Sequence, residues 1–151
     1  MEEALEDAKE ELRRVDHLFY VSLKYTRTVD MIRTLVNRLI STFDYAMLSL
    51  LEYAKKKKKI KEIPLTPISK AELLKETFED LGVKKHIDLY LLLRKLMRSP
   101  YTKREEYRRH VTMISDLDNK TIETDIDILK EYYDQTIEFL ALVTETIKSK
   151  K

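Results

Sequence analysis

Hydrophobic residues recur at alternating intervals of three and four along most of this chain, which is the spacing of amphipathic helices. The first stripe of such residues predicts a helix from about Glu2 to Tyr25. A second, longer stripe predicts a helix from about Thr28 to Lys57, with Thr28 as its N-cap. The two stripes consist of Leu5, Ala8, Leu12, Val15 and Phe19, and of Val29, Ile32, Val36, Leu39, Phe43, Ala46, Leu50 and Tyr53.

The second helix carries more apolar residues than a single neighbouring helix would cover. Five of them lie outside its main stripe, namely Leu35, Ile40, Met47, Leu48 and Leu51. This breadth predicts contacts with several helices, some of which a second copy of the chain would supply. We therefore expect a homodimer, which is the commonest oligomer.

The middle of the chain predicts two shorter helices. A basic loop with two prolines, over about 55–68, follows the second helix. The spacing of Ser69 and Glu72 matches a capping box and predicts a third helix from about Lys70 to Leu81. Gly82, the only glycine, stands where a helix ends in the left-handed conformation. A further apolar segment, ended by a proline, predicts a fourth helix from about Lys85 to Arg98.

The pattern changes in the last third of the chain. The spacing of Thr102 and Glu105 is a second capping box, which predicts a short polar helix to about Arg109. Two β-branched segments around a polar turn favour a small β-hairpin over about 110–125. One continuous helix is the alternative there, and the Asp and Asn residues of the turn disfavour it. The final apolar stripe predicts a helix over about 126–149, with Asp125 as its N-cap.

These elements predict an all-α fold. It is an up-and-down bundle of about four to five helices with a long second and a long last helix, and it carries the small hairpin. A chain of 151 residues fits a single domain, so we assign residues 1–151 to one helical-bundle domain. Five tyrosines lie in or beside the apolar stripes and are interpreted as core residues: Tyr45, Tyr53, Tyr90, Tyr132 and Tyr133.

Composition excludes several classes of chemistry. The chain has no cysteine, which rules out disulfides, thiolate metal sites and a cysteine nucleophile. A single glycine rules out a glycine-rich phosphate loop. No apolar segment is long enough to span a membrane, and the acidic first turns do not resemble a signal peptide, so we expect a cytoplasmic protein. The few Asn and Gln residues and the abundant Lys, Glu and Arg are typical of heat-adapted intracellular proteins.

The charge is balanced overall but distributed unevenly. The net charge of +2 argues against a general nucleic-acid coat. Basic residues nevertheless concentrate in Lys55–Lys59 and in the segment from Arg94 to Arg109. Both segments are interpreted either as solvated helix faces or as local phosphate-binding surfaces. The lysine tract has no lipidation site beside it, and such a tract alone gives only marginal anchoring, so no membrane partner is expected.

Residues able to carry chemistry are few. None of the three histidines, His17, His86 and His110, has another histidine three or four positions away, so neither a metal nor a cofactor is expected. One segment stands out because Arg104 is followed by a polar residue and then by His110. An imidazole can exchange protons with the hydroxyl groups of RNA, and a guanidinium stabilises charge on phosphate oxygens.

Geometry limits this pairing. Six residues around a regular helix turn through ~240°, so Arg104 and His110 share a cleft only if the helix ends between them or a second subunit contributes. The competing interpretation is structural. In that case the three arginines of the segment pair with its two glutamates, Glu105 and Glu106, and His110 only ends a helix.

At these residues the chain resembles the HEPN superfamily. The points of similarity are a glycine-poor helical bundle of this size and an Arg, a polar residue and a His within seven positions. The resemblance extends loosely from about Thr28 to Ile147. It implies a homodimer in which Arg and His of two protomers meet and cleave RNA without a metal, with Arg104, Glu105 and His110 as catalytic residues. Many members of that family lack activity and serve as partners or as nucleotide-binding modules.

Three functions therefore stay open. The first is a metal-independent ribonuclease or toxin–antitoxin-type module, and the second is a noncatalytic helical interaction protein. The third is a nucleic-acid-binding accessory factor that uses the basic segment. The residues predicted to bind nucleic acid are Arg98, Tyr101, Lys103, Tyr107, Arg108 and Arg109.

Overall fold

The computed structural model describes residues 1–149 as a mainly helical protein with one small antiparallel sheet. Its elements are α1 (Glu2–His17), a π-helical turn (Leu18–Ser22), α2 (Leu23–Tyr25), α3 (Val29–Lys56), α4 (Pro67–Thr77), a 3₁₀ turn (Glu79–Leu81), α5 (Lys84–Arg98), β1 (Tyr101–Arg104), β2 (Thr112–Leu117), β3 (Lys120–Thr124) and α6 (Ile126–Ser149). The helix-dominated fold is confirmed, whereas the all-α description holds only approximately. None of the described helices is both long and apolar enough to cross a bilayer.

Helix α3 is the central element of the bundle, because it packs against α1, α4, α5 and α6. Leu35, Met47 and Leu51, which widen its apolar face, are almost completely buried within a single chain. The chain's own helices therefore cover the broad apolar face of α3. This face no longer argues for a second copy, and the homodimer stays a prediction on other grounds.

Aromatic rings fill the centre of the bundle. Phe43 of α3 stacks on Phe139 of α6 with the ring centroids 5.1 Å apart, and it lies 5.7 Å from Tyr90 of α5. Four of the five tyrosines predicted in the core are buried, and Tyr45 is 38 % exposed. The Tyr90 hydroxyl donates a 2.6 Å hydrogen bond to the Asp44 carboxylate, which satisfies the polar end of this buried ring.

The first helix departs from its predicted stripe near its end. The π-helical turn places one extra residue in the helix and rotates everything that follows it. Val21, inside this turn, and Tyr25, after it, are 42 % and 80 % exposed. The stripe before this turn behaves as predicted, and Leu5, Ala8 and Val15 are buried.

The helix caps show which local signals are reliable. Thr28 Oγ1 accepts the Met31 N–H, and Asp125 Oδ1 accepts the Ile128 N–H, as predicted. The left-handed conformation of Gly82 is also confirmed, at φ 69°. Ser69, by contrast, is not a cap. Helix α4 begins three residues earlier, because Thr66 caps it through the Ser69 N–H and Pro67 suits its first turn.

The sheet combines one confirmed and one wrong prediction. The hairpin of β2 and β3 forms as expected around Asp118 and Asn119, which both have positive φ, as a two-residue turn requires. The short helix predicted from the Thr102 capping box does not exist. Residues 101–104 pair with β2 as a third strand, and the left-handed Glu105 and Tyr107 break any helix there.

His86 gives the fold a measurable pH dependence. Its ring is 3 % exposed, and burial lowers its pKa, with the charge of Lys85 adding to this shift. The unfolded chain, with an imidazole pKa of about 6.5, therefore binds the proton more readily than the folded one. We expect the free energy of unfolding to fall as the pH drops below about 6.5, and urea titrations at several pH values measure it.

The matched variants for this prediction are His86→Gln and His17→Gln. The first removes the buried imidazole and should flatten the loss of stability below about pH 6.5. The second removes an exposed imidazole of α1 and should leave the wild-type pH profile. An unchanged profile in His86→Gln would refute the assignment.

Candidate functional site

The loop between β1 and β2 is fixed against the start of α3. Glu106 accepts the Val29 N–H through Oε2 at 2.9 Å, so its carboxylate adds to the cap of that helix. The Tyr107 N–H donates to the Arg27 carbonyl at 2.7 Å. These two contacts join parts of the chain that are about 80 residues apart and set the position of the residues that follow, including His110.

His110 is exposed and lies at the edge of a cavity of about 240 Å³. Its carbonyl accepts the Thr112 hydroxyl at 2.8 Å, which fixes the backbone where β2 begins. The cavity, called here the His110 cavity, is lined by three separate segments of the chain. They contribute Arg27, Arg109 with His110, and the first residues of α6, which are Asp125, Ile126 and Asp127.

The His110 cavity combines groups that can bind a phosphate with two carboxylates. Two guanidinium groups and the N-terminus of α6 contribute positive charge, and Asp125 and Asp127 contribute negative charge to the same space. The Arg27 Nε is enclosed and has no hydrogen-bond partner among residues 1–149. Within the same residues, neither Asp125 nor Asp127 forms an ion pair with Arg27 or Arg109. Asp125 uses one carboxylate oxygen as the cap of α6. Neither guanidinium is therefore neutralised by an ion pair with these two carboxylates.

Arg104 does not line this cavity. Its guanidinium forms an ion pair with Glu123 across the sheet. Glu105 begins the following turn with φ 53°, and its carbonyl accepts the Arg108 N–H. The three residues predicted as catalytic therefore lie along one strand end and its loop. The described structure joins His110 with Arg109 and Arg27 in one cavity, while Arg104 stands beside Glu123.

The competing interpretation, in which the arginines of this segment pair with Glu105 and Glu106, is wrong. Neither Glu105 nor Glu106 pairs with an arginine of the segment in the described part of the chain. Glu106 instead contacts Lys103, which also pairs with Asp30. The charge of Asp30 is the main cause of the raised Lys103 pKa. Lys103 is therefore engaged and contributes less to a free basic surface than the sequence suggested.

The residues predicted to bind nucleic acid divide into two groups. Tyr107, Arg108 and Arg109 share the loop that leads to His110, and the Tyr107 side chain is 77 % exposed. Tyr101 is partly buried, with the Arg33 guanidinium 4.0 Å from its ring centroid, so one ring face is already covered. Arg98 lines a different cavity with residues 116–118, at the hairpin end of the sheet. Five residue steps along β2 separate the two ends by about 17 Å.

Sequence reasoning missed Arg27. This residue follows α2 and has no motif around it, and only the tertiary fold brings it beside His110. The contact between Tyr107 and the Arg27 carbonyl is the structural cause. Asp125 was predicted only as a helix cap, and its place in the cavity follows from the same fold.

The other two histidines lie elsewhere. His86 is buried beside Phe139, with ring centroids 5.5 Å apart. His17 lines a cavity of about 350 Å³ together with three arginines. Those arginines, Arg13, Arg14 and Arg38, already pair with Glu10 or Glu11. Among residues 1–149, no three His, Asp or Glu side chains are grouped as the ligands of a metal ion would be.

Comparison with models of protein families, with curated proteins and with solved structures finds no match for this chain. The argument for function therefore starts from the His110 cavity itself.

Proposed function

We propose that the protein is an RNA-cleaving enzyme that acts without a metal at the His110 cavity, with His110 in the role that the HEPN resemblance implies and with Arg27 and Arg109 in place of Arg104. The observation that carries this proposal is the placement of one imidazole and two guanidinium groups around a single cavity. These are the groups that cleavage of RNA by its own 2′-hydroxyl needs, because a proton must move and phosphate charge must be stabilised.

The reaction assigned to the cavity is an internal transfer of the phosphoryl group. The His110 imidazole takes the proton of the 2′-hydroxyl, and the 2′ oxygen forms a bond to phosphorus. The bond from phosphorus to the 5′ oxygen breaks, and this oxygen takes a proton from the imidazolium or from water. Arg109 and Arg27 hold the charge on the non-bridging oxygens. The products carry a 2′,3′-cyclic phosphate and a 5′-hydroxyl.

The surroundings of the cavity support a single-stranded substrate. Tyr107 presents an uncovered ring that a base can stack on, and Arg108 lies next to it in the same exposed loop. An exposed aromatic ring beside arginines also favours a second candidate function, which is RNA binding without cleavage. The two functions differ in one measurable property, the appearance of cleaved product.

A dimer is part of the proposal. Tyr20, Val21 and Tyr25 are exposed large apolar residues that precede Arg27 by two to seven positions. A second copy seated on these side chains would border the His110 cavity, which agrees with the family arrangement that the resemblance implies. Light scattering over a range of concentrations tests this part of the proposal separately.

The first test is cleavage of a single-stranded RNA oligonucleotide in EDTA. We expect products that end in a 2′,3′-cyclic phosphate, and no cleavage of the DNA oligonucleotide of the same sequence, which lacks the 2′-hydroxyl. Salt-sensitive binding of both oligonucleotides without cleavage would favour the accessory factor. The absence of both binding and cleavage would favour a noncatalytic helical interaction protein.

Single substitutions distinguish the two arginines of the His110 cavity from Arg104 as partners of His110. Arg109→Gln or Arg27→Gln should lower the cleavage rate about 100-fold, as the loss of one charge-stabilising donor does. Arg104→Gln removes an exposed ion pair with Glu123 and should change the rate by less than about fivefold. A larger loss in Arg104→Gln than in Arg109→Gln would favour the pair of Arg104 and His110 over the His110 cavity.

A further inference from the structure

The loop between α3 and α4 forms a strongly basic end of the molecule. Residues 55–68, called here the basic end, contain six lysines, one glutamate and no aromatic residue. Three backbone hydrogen bonds close the end of α3, and Lys58 adopts the left-handed conformation with φ 60°. Within residues 1–149, none of these six lysines pairs with a carboxylate. No ion pair therefore neutralises their charge.

The same loop exposes aliphatic side chains. Leu65 is 94 % exposed, the highest value among the exposed large hydrophobic residues of the described chain, and Ile68 is 52 % exposed. Pro64 and Pro67 flank Leu65 and restrict the backbone on both sides. An aliphatic side chain held in water this way gains free energy when an apolar phase covers it.

A cleft of about 520 Å³ is lined by residues 59–62 of the basic end and by residues of α4. Lys59 and Lys61 line it together with Glu62 and Glu76 and with the aliphatic side chains of Ile60 and Leu73. The positive charge of the basic end therefore rests mainly on Lys55–Lys58, which lie outside this cleft.

We propose that the basic end binds the surface of a membrane that contains anionic phospholipid, with the lysines on the headgroups and with Leu65 and Ile68 inserted at the acyl boundary. Lysines alone give only marginal attachment, and the exposed aliphatic residues add the second signal that stable attachment requires. The attachment is peripheral and does not depend on the His110 cavity.

The chemistry of the basic end favours lipid over nucleic acid. Single-stranded nucleic acid is bound by exposed aromatic rings and by arginine, and residues 55–68 contain neither. The rings nearest the tract, Tyr53 and Phe78, are buried, with Lys57 and Lys59 lying over them. A phosphate backbone also offers nothing apolar to Leu65.

Vesicle sedimentation of the full chain tests the proposal. We expect binding to vesicles of phosphatidylcholine mixed with phosphatidylserine, and no binding to phosphatidylcholine alone. Gln replacements at Lys55, Lys56 and Lys59 together should weaken binding about 100-fold, since each lysine near an anionic surface contributes separately. The control replaces three exposed, unpaired lysines elsewhere, Lys24, Lys84 and Lys148, and should retain most of the binding.

The insertion of Leu65 is tested by two further substitutions. Leu65→Ser should weaken vesicle binding about tenfold, whereas Ile137→Ser, at an exposed aliphatic residue of α6, should not. Because the chain has no cysteine, Leu65→Cys carries a single environment-sensitive fluorophore. Its emission should shift to the blue on anionic vesicles, and that of the matching Ile137→Cys label should stay unchanged.

Several outcomes would overturn the proposal. Equal binding to neutral and anionic vesicles would show that the lysines do not contribute. Equal losses in the two triple variants would show that the position of the lysines in the basic end does not matter. An unshifted Leu65→Cys label removes the insertion. If single-stranded RNA or polyglutamate binds the basic end and Leu65→Ser leaves that binding intact, the surface serves a nucleic acid or an acidic protein instead.

Discussion

We expect His110→Ala to lower the rate of RNA cleavage by about 10²- to 10⁴-fold, which is the usual contribution of a positioned general acid–base group. Binding of RNA should stay within about twofold of the wild type, because this variant keeps Arg27, Arg109 and Tyr107, the residues proposed to hold the substrate. Added imidazole should restore part of the lost rate by supplying the missing base. Single-turnover cleavage of a labelled oligonucleotide separates the rate from the binding.

The control for this prediction is His17→Ala. His17 is also exposed and also lies among arginines, but in a different cavity on α1. Its removal should leave cleavage unchanged. Equal losses in the two variants, or full activity in His110→Ala, would contradict the role assigned to His110, and weakened binding alone would make His110 a contact residue.

Phe43→Ala removes the ring at the centre of the bundle and should lower the free energy of unfolding by about 3–5 kcal/mol. Phe43 is fully buried and contacts rings of both α5 and α6, so the cavity left behind is bordered by two helices that cannot both move inward. The melting temperature should fall by about 10 °C. Urea unfolding followed by circular dichroism measures the change.

Tyr45→Ala is the matched control on the same helix. Tyr45 is two residues from Phe43 and similar in size, but it is 38 % exposed and belongs to no ring cluster. Its loss should cost less than about 1 kcal/mol. A small effect in Phe43→Ala would mean that the three long helices do not meet at this ring, contrary to the described packing.

The sequence predicted the elements whose signals are local. The helix caps at Thr28 and Asp125 and the left-handed Gly82 each depend on residues within three or four positions, and all are confirmed. The hairpin turn at residues 118–119 also depends on neighbouring residues. The helix predicted after Thr102 failed because its capping-box spacing was overridden by pairing with β2, a partner about ten residues away.

The candidate site likewise combines residues that are neighbours in the sequence with one that only the tertiary fold brings in. His110 and Arg109 were singled out because they are neighbours in one basic segment. Arg27 lies 82 residues before Arg109, and no pattern in the sequence links them. The contacts of Glu106 and Tyr107 with the start of α3 create that link, and they depend on the tertiary fold.

The His110 cavity is built from residues near positions 27, 110 and 126, so its walls are complete only when the start of α6 has been synthesised. A nascent chain that ends before Asp125 contains both arginines and the imidazole but lacks the end of α6 that closes the space. Since translation proceeds from the N-terminus, a nascent chain that stops short of α6 cannot hold a finished cavity. Whatever chemistry occurs there therefore cannot begin before residues 125–127 have been added and folded against the rest.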